Sequence, residues 1–553
     1  MIRLFETHNI REQKELDGMW KFIMQGVDKE YTMPVPGCFE QHPDFLKHRG
    51  IATYSKTVYV KYDTNIRLEF KGVSHTADVF FDGEKVAHHY NAFTPFSAVI
   101  KDVEKGTHQI DVVVDNTFSE KSALHIPNDY YTYGGITRPV SMEYVGDVYI
   151  KNMHFTPSWN NGKWRAKVLV EIENLKQVEI TANISIDIAD TVSNKEFSAL
   201  PNSVSNVEFD MEFPKVLAWD NKNPNLYMLN ATLNVNNTAV DDLIDRVGFR
   251  EVKVDGTKLL LNGKPVYLKG FNRHEDYATV GCAVPLQLMA GDLDLMQDMG
   301  ANAMRTCHYP NDERMLDLCD ERGILVWEEN HARGFDLAKM QNPNFERQCD
   351  DCIREMIENH YNHPSIIIWG ILNECASETD DGRRMYKAQY DRIRSMDLSR
   401  PCTSATCRHF SDICLDLEDI VSYNIYTNWY ENDDIKERNN KEIDWIKSAN
   451  GGNKPIIISE FGAAAIYGYR SRAREKWSEE FQADLIKESL SVYMNDTRIS
   501  GVFIWQFADC RVTEEEWFHT RARCHNNKGI VDEYRRPKLA YDTVKEMFKK
   551  YGN

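Results

Sequence analysis

The sequence lacks the long apolar segments that cross membranes. No stretch of its 553 residues approaches the roughly 20 consecutive apolar residues that a membrane helix needs, and residues 1–18 carry no apolar segment of the kind that directs secretion. Positive charge is also scarce, because 66 Lys and Arg residues stand against 85 Asp and Glu residues and leave a formal net charge of −19. Since such a surface repels phosphate backbones and anionic membranes, we expect no nucleic-acid partner and no membrane partner.

The 12 cysteines lack the dense, even spacing of a secreted disulfide scaffold. We therefore expect reduced thiols in a cytoplasmic protein. Cys349 and Cys352 form a CxxC pair, but no second pair or histidine follows at the spacing of a zinc site. Two neighbouring residues on a helix are the simpler interpretation, so no bound metal is expected. Nothing in the sequence indicates an organic cofactor.

The pattern of apolar residues changes twice and divides the chain into three predicted domains. Residues 1–148 show short period-two alternation, and Asp82-Gly83 is a hairpin signal within them. The strand pattern continues over residues 149–253, about 100 residues, which is the size of an immunoglobulin-like β-sandwich. Two β-sandwich domains are the economical prediction for this half.

Residues 254–553 alternate apolar strands with amphipathic helices, so the third domain is predicted to be α/β. Eight strands are expected, at residues 266–271, 302–306, 324–329, 366–374, 401–407, 420–426, 456–460 and 502–507. Eight strands with intervening helices over about 300 residues predict a (β/α)8 TIM barrel. An open doubly wound sheet is the alternative, and the lack of a Gly-rich phosphate-binding turn disfavours it.

Two of the predicted barrel strands end in a carboxylate, at the edge where the active sites of such barrels form. Asn373-Glu374 follows the isoleucine-rich segment 366–372, and Glu460 follows 456–459. A carboxylate after such a run is costly to desolvate unless it is hydrogen-bonded or used, so a helix cap or an arginine partner is the structural alternative. Two glutamates at matching strand ends favour glycoside hydrolysis, in which one acts as nucleophile and the other as acid and then base.

Longer motifs around these strands resemble glycoside hydrolase family 2, and within it the β-glucuronidases. The motifs are 302–310 (NAMRTCHYP), 320–327 (DERGILVW) and 362–374 (NHPSIIIWGILNE) in the third domain, with 16–20 (LDGMW) and 134–139 (GGITRP) in the first. The resemblance covers essentially the whole chain. It implies a multidomain β plus α/β protein, in which a jelly-roll β-sandwich and an immunoglobulin-like β-sandwich precede the TIM barrel.

The resemblance also implies the roles of individual residues in a retaining exo-glycosidase. Glu374 would be the acid/base and Glu460 the nucleophile of a double displacement, with Tyr426 against the nucleophile and Asn373 at the sugar 2-hydroxyl. The other side chains that we expect to bind the sugar are Asp129, His308, His331, Arg333, Tyr430, Trp505, Asn526 and Lys528.

The segment Asn526-Asn527-Lys528 resembles the Asn-x-Lys element with which β-glucuronidases hold the sugar C6 carboxylate. A lysine ammonium beside an amide donor forms charge-assisted hydrogen bonds with a carboxylate, and a neutral hydroxymethyl group could not form them. A neutral galactoside would leave Lys528 buried and unpaired, which disfavours β-galactosidase and β-mannosidase. We therefore predict release of terminal β-D-glucuronate from glucuronide conjugates or oligosaccharides. A solvated loop lysine is the structural alternative.

One position departs from the family pattern. Many β-glucuronidases carry an arginine four residues before the asparagine, near the sugar 4-hydroxyl, but this chain has Ala522 there, between Arg521 and Arg523. Arg333, in the loop after the third strand, could supply the missing group. Because the 4-hydroxyl distinguishes glucuronate from galacturonate, a β-galacturonidase or a mixed β-hexuronidase is the alternative.

Two other classes of protein remain as alternatives. A non-catalytic carbohydrate-binding protein would keep Asp129 and the aromatic residues but need not keep both Glu374 and Glu460. A metal-dependent barrel hydrolase would use histidines such as His308 and His331, which lack HxH or HExxH spacing. Members of the family commonly associate, so the resemblance also implies a homo-oligomer.

Overall fold

The computed structural model of the chain describes residues 2–551, so residues 1, 552 and 553, at the outer ends of the first and third predicted domains, lie outside the described residues. Over residues 2–551 the chain forms two β-sandwiches and then a closed barrel of eight parallel strands. The predicted fold class is confirmed, and the open doubly wound sheet is excluded. Within the described residues, no helix is long and apolar enough to cross a membrane.

The first sandwich packs a six-stranded sheet against a four-stranded sheet. Period-two alternation buries one face of each strand, and residues such as Tyr54 from the larger sheet and Leu68 from the smaller sheet meet in one core. Asp82-Gly83 closes the predicted hairpin with both residues at positive φ. In the six-stranded sheet the strands lie in the order Glu30–Val35, Gly18–Met24, Ile51–Val60, Gly106–Asp115, Thr76–Phe81 and Glu84–Tyr90. In the four-stranded sheet the order is Gln13–Glu15, Val140–Val145, Thr64–Phe70 and Phe96–Val103. Val73–Ser74 and Gly135–Ile136 form a separate pair.

The second sandwich packs a three-stranded sheet against a four-stranded sheet. Alternating apolar residues again form the core, in which Val168 and Phe209 of one sheet contact the group that includes Ile184 and Leu229 of the other. The three-stranded sheet consists of Val148–Asn160, Lys163–Asn174 and Ser203–Phe213. The four-stranded sheet consists of Thr191–Ala199, Ile180–Ile188, Tyr227–Val235 and Thr238–Val247.

The eight barrel strands form at the predicted places, within three residues at each end. They are Leu268–Asn272, Ala303–Arg305, Leu325–Glu329, Ile366–Asn373, Cys402–Thr406, Val421–Asn424, Ile456–Phe461 and Ile499–Ile504. Continuous isoleucine runs suit strands that are buried on both faces. The eighth strand ends before Trp505, so this residue begins the following loop.

The barrel is closed at its amino end, which leaves its carboxyl end as the open face. A three-stranded ribbon, Val252–Asp255, Lys258–Leu261 and Lys264–Pro265, packs Leu259 into the same core as the interior residues Ile457 and Phe503. The outer layer consists of the helices Leu286–Asp298, Glu313–Arg322, Leu337–Met340, Phe345–His360, Asp380–Met396, Ile435–Ser448, Glu479–Tyr493 and Ala540–Lys550, with single 3-10 turns at Phe39–Gln41, Pro43–Phe45, Glu516–Thr520 and Ala522–Cys524.

The first sandwich reaches the open face of the barrel through the segment that follows its strand Gly106–Asp115. Within this segment, the backbone carbonyl of Asn128 accepts a hydrogen bond from the Thr513 hydroxyl at 3.1 Å. Farther along, Arg138 donates to the buried Glu275 carboxylate at 2.7 Å. These contacts hold Asp129 beside the carboxyl ends of the barrel strands.

Candidate active site

Glu374 and Glu460 lie at the carboxyl ends of the fourth and seventh barrel strands and share neighbouring side chains. The amide of Asn424, the last residue of the sixth strand, donates to Glu374 Oε1 at 2.9 Å, and the Tyr426 hydroxyl donates to Glu460 Oε2 at 2.7 Å. Glu374 has a left-handed backbone (φ 55°), which turns the chain where the strand ends. The structure therefore brings the two predicted carboxylates into one site.

A fully buried arginine, Arg305 at the end of the second strand, connects several of these groups. Its guanidinium pairs with both oxygens of Glu329 at 2.9 Å and donates to Glu460 Oε1 at 3.0 Å. It also donates to Asn272 Oδ1 at 2.9 Å and to Asn373 Oδ1 at 2.8 Å. The planar fork fixes the orientation of Glu460 and Asn373 together, which a lysine could not do.

The two glutamates also affect each other electrostatically. Burial, and then the negative charge of Glu374, raises the pKa of Glu460 to about 7, although Arg305 and Tyr426 oppose the change. A nearby like charge disfavours ionisation, and the raised pKa of Glu460 reflects this in addition to burial. One protonated and one ionised carboxyl group is the state that an acid and a nucleophile require at the start of glycoside hydrolysis.

Asn373 offers an unused hydrogen-bond donor beside this pair. Its Oδ1 accepts from Arg305 and, at 3.2 Å, from Asn424, whereas its buried Nδ2 has no partner within residues 2–551. Leaving a buried donor unpaired costs about 1–3 kcal/mol. A substrate oxygen would satisfy this donor.

Arg333 reaches the same region from the loop after the third strand, as the sequence predicted. Its guanidinium lies 3.3 Å from Glu374 Oε2 and donates to Asn128 Oδ1 at 3.2 Å. Arg333 from the barrel and the segment of the first sandwich that carries Asn128 thus meet beside Glu374.

A second group of side chains lies around Lys528. The buried ammonium of Lys528 donates to the Tyr430 hydroxyl at 2.9 Å, and Arg521 lies 3.3 Å from the same oxygen. Arg521 also pairs with both oxygens of Asp129, at 3.0 and 2.5 Å, and Asn526 donates to Asp129 at 3.0 Å. The group therefore holds two cations around one hydroxyl.

The charges of this group change the titration of its members. Burial lowers the pKa of Lys528, and Tyr430 opposes the change. Burial would raise the pKa of Tyr430, but Lys528 and Arg521 together outweigh it and lower that pKa. An anionic substrate group placed here would gain from both cations.

Three predicted sugar-binding residues occupy different surroundings. Trp505 lines the cavity and stacks on His308, with ring centroids 5.1 Å apart. His308 pairs with Glu329 at 2.8 Å and keeps Nε2 free, 3.8 Å from Glu460. His331 does not line the cavity; its Nε2 contacts the Tyr130 hydroxyl at 3.1 Å.

His331 packs against the first sandwich, and its role in sugar binding stays a prediction. Its ring contacts Phe93 and His125, with centroids 4.9 and 4.5 Å away. Asn526 donates a hydrogen bond to Asp129 and is not among the residues that line the cavity, so it contacts the site through Asp129.

The cavity between these groups has a volume of about 290 Å³ and opens at the carboxyl face of the barrel. It is lined by Asp129, Arg333, Glu374, Cys407, His409, Asn424, Ile425, Tyr426, Tyr430, Glu431, Arg438, Trp505, Trp517, Arg521 and Lys528. This size suits one sugar unit, and it leaves room for the leaving group only at the mouth.

Several polar residues of the site were not predicted as site residues from the sequence, among them Arg305, Glu329, Asn424 and Arg521. The first three end barrel strands, so the rule that singled out the glutamates could have found them. Nothing local distinguishes Arg521 from Arg523, which turns away to pair with Glu533 at 3.0 Å.

One group of side chains in residues 2–551 has the spacing of a metal site: Asp317, Asp320 and His363. Its members already have protein partners, because Asp317 pairs with Arg3 at 2.8 Å and Asp320 contacts His363 at 2.6 Å. His308 and His331, which a metal-dependent barrel hydrolase would use, do not belong to this group.

The barrel, residues 252–553, matches the family model described as "Glycosyl hydrolases family 2, TIM barrel domain". The chain belongs to glycoside hydrolase family 2. It is a glycosidase, as the sequence predicted. Two further models of the family, "Glycosyl hydrolases family 2" and "Glycosyl hydrolase 2 galactose-binding domain-like", match residues 148–250 and 45–168.

Three relatives within the family differ in their substrates. A crystal structure of a β-galacturonidase from Eisenbergiella tayi bound to galacturonate has 48% sequence identity and a TM-score of 0.97, over 100% of this chain and 99% of that one. The β-glucuronidase of Streptococcus agalactiae is 27% identical over 98% of this chain and 96% of its own length. The β-galactosidase of Thermoanaerobacterium thermosulfurigenes is 30% identical over 88% of this chain and 67% of its own length.

Proposed function

We propose that this glycosidase is a retaining exo-β-hexuronidase. Glu460 attacks the anomeric carbon while Glu374 protonates the departing oxygen, and Glu374 then takes a proton from the water that releases the sugar. The donors Arg305 and Tyr426 support an ionised nucleophile at Glu460. The unpaired amide of Asn373 would bind the 2-hydroxyl.

The observation that carries the proposal for an acidic sugar is the surroundings of Lys528. Within residues 2–551 its buried ammonium hydrogen-bonds one side-chain oxygen, the Tyr430 hydroxyl, and Arg521 lies 3.3 Å from the same hydroxyl. A buried cation is costly without an anionic partner, and the sugar C6 carboxylate would supply one. A neutral galactoside would not, which argues against the β-galactosidase alternative.

Nitrophenol release from three substrates tests this proposal. We expect the purified protein to hydrolyse 4-nitrophenyl β-D-glucuronide or its galacturonide, and to hydrolyse the neutral β-D-galactoside far more slowly. Equal kcat/KM values on neutral and acidic sugars would refute the hexuronidase proposal.

The two hexuronate epimers are separate candidates. The relationship to a β-glucuronidase over nearly the whole chain supports the glucuronide, which the sequence predicted. Two observations favour the galacturonide: the 48% identity to a β-galacturonidase and the replacement of the expected arginine by Ala522. Arg521 instead enters the cavity and pairs with Asp129. A side-by-side measurement of kcat/KM on the two nitrophenyl epimers decides between them.

We also propose a cytoplasmic homo-oligomer with domain boundaries after residues 148 and 253. The free state of all 12 cysteines supports a reducing compartment, and the family resemblance supports association. Cell fractionation and light scattering would test the first two proposals. Limited proteolysis followed by mass spectrometry would test the boundaries.

A further inference from the structure

The mouth of the cavity carries a second group of polar side chains that the proposed reaction does not use. Three of them, His409, Glu431 and Arg438, line the cavity together with Glu374. Phe410, next to His409, is 51% exposed. We call His409, Phe410, Glu431 and Arg438 the mouth group.

A buried carboxylate, Glu442, lies against the mouth group. Glu442 is fully buried, and its two oxygens lie 3.1 Å from His409 Nδ1 and 2.8 Å from Arg438 Nε. Arg438 in turn pairs with Glu431 at 3.0 Å and contacts the ring of Phe410 at 5.3 Å. These charged side chains lie within ion-pair distance of one another, and His409 Nδ1, Arg438 Nε and both Glu442 oxygens have no hydrogen-bond partner within residues 2–551.

The mouth group lies where the leaving group must pass. His409 follows the fifth barrel strand, which is paired with the fourth, and the backbone N–H of Glu374 donates to Ala405 of that fifth strand at 2.8 Å. Under the proposed function, on which this inference rests, the departing oxygen meets Glu374. The atoms attached to that oxygen then extend towards His409 and Arg438.

We propose that the mouth group is a binding subsite for a neutral sugar as the aglycone. Imidazole, guanidinium and carboxylate groups can hydrogen-bond the hydroxyls of a sugar, and the exposed face of Phe410 can cover its apolar face. A large apolar aglycone would instead bury Glu431 and Arg438 without partners from the ligand, which is unfavourable.

The charges around the mouth group disfavour a second uronate in this subsite. The ion pairs of the mouth group and of the neighbouring Arg408 join four carboxylates, Glu378, Glu431, Asp433 and Glu442, to two arginines, Arg408 and Arg438. The surplus is negative, so a carboxylate on the aglycone would be repelled. A chain end in which a hexuronate is β-linked to a neutral sugar fits the subsite.

Rates on two substrates with the same hexuronate test the subsite. One is the 4-nitrophenyl hexuronide, and the other is a disaccharide in which that hexuronate is β-linked to a neutral hexose. We expect His409→Ala to lower the ratio of kcat/KM for disaccharide over nitrophenyl substrate by about tenfold, the effect of one lost hydrogen bond. The matched control is His88→Ala, an exposed histidine 2.6 Å from Asp78 on the first sandwich, which leaves the ratio unchanged.

Phe410→Ala provides a second variant if loss of His409 leaves Glu442 uncovered and the protein fails to fold. We expect it to lower the same ratio and to disturb the fold less, because the ring is half exposed and packs on Arg438 and on Trp445 of an outer helix and not in the barrel interior. Equal losses on both substrates for these variants would mean a structural role and would overturn the subsite. A wild-type enzyme that prefers a uronate aglycone over the neutral sugar would also overturn it.

The failure of this inference and the failure of the proposed function give different results. If the wild-type protein hydrolyses neither nitrophenyl hexuronide, the proposed function is wrong. If it hydrolyses one of them but the ratio is insensitive to both mouth variants, only the subsite is wrong.

Discussion

Replacing Lys528 with methionine removes the ammonium that faces the proposed carboxylate position and keeps most of the side-chain volume. Truncating one partner of a buried, hydrogen-bonded charge pair costs about 2–5 kcal/mol. Arg521 remains within 3.3 Å of Tyr430 and can still bind the carboxylate, so we expect the lower part of this range. A loss of about 2–3 kcal/mol corresponds to a fall in kcat/KM of roughly 30- to 160-fold on the acidic sugar.

Initial rates of nitrophenol release from the uronide and from the neutral galactoside measure this effect. The rate on the neutral galactoside should not fall in Lys528→Met, because that sugar has no carboxylate to lose a partner. The matched control is Lys454→Met, a half-buried lysine that donates to the Leu415 carbonyl at 2.8 Å at the amino end of the barrel. Unchanged selectivity in Lys528→Met, or an equal loss on both substrates, would refute the reasoning.

Three further predictions concern the carboxylates. Glu460→Gln should abolish turnover. The wild-type protein should lose stability as pH rises from 5 to 8, because the pKa of Glu460 is raised from 4.5 to about 7: its contribution is complete below pH 4.5 and is lost through pH 7, about 3 kcal/mol in all. Glu460→Gln does not titrate, so its unfolding temperature should rise relative to that of the wild type over this range. A constant difference between the two proteins would contradict the prediction. Glu374→Gln should slow poor leaving groups more than nitrophenol, and azide should restore nitrophenyl turnover; no azide effect would argue against the acid/base role. Glu329→Gln should lower kcat about tenfold or more with little change in KM, because Arg305 loses a bidentate partner and no longer fixes Glu460; a change confined to KM would contradict this positioning role.

Much of the candidate site could be predicted because it is encoded locally. A run of isoleucines followed by a carboxylate specifies both a buried strand and an unusual polar group at its end, as at Glu374 and Glu460. Turn signals are equally local, and Asp82-Gly83 forms the predicted hairpin with both residues at positive φ. The eight strands and their order follow from such patterns.

Other features could not be predicted, because they depend on contacts between distant segments. Arg521 and Arg523 are two residues apart with similar neighbours, yet only Arg521 reaches Asp129, 392 residues earlier in the chain. His331 follows a barrel strand as a site residue would, but the first sandwich covers it.

The sequence by itself determined the strand and helix pattern and the chemistry available at the strand ends, because burial periodicity and turn preferences act over a few residues. Only the tertiary structure decided which polar side chains meet. Closing the barrel brings the ends of distant strands together, and docking the first sandwich on its open face places Asp129 opposite Arg521 and packs Phe93 and His125 against His331. Interaction energies between charged groups fall with distance and grow with burial, so they are defined only once these surfaces have met.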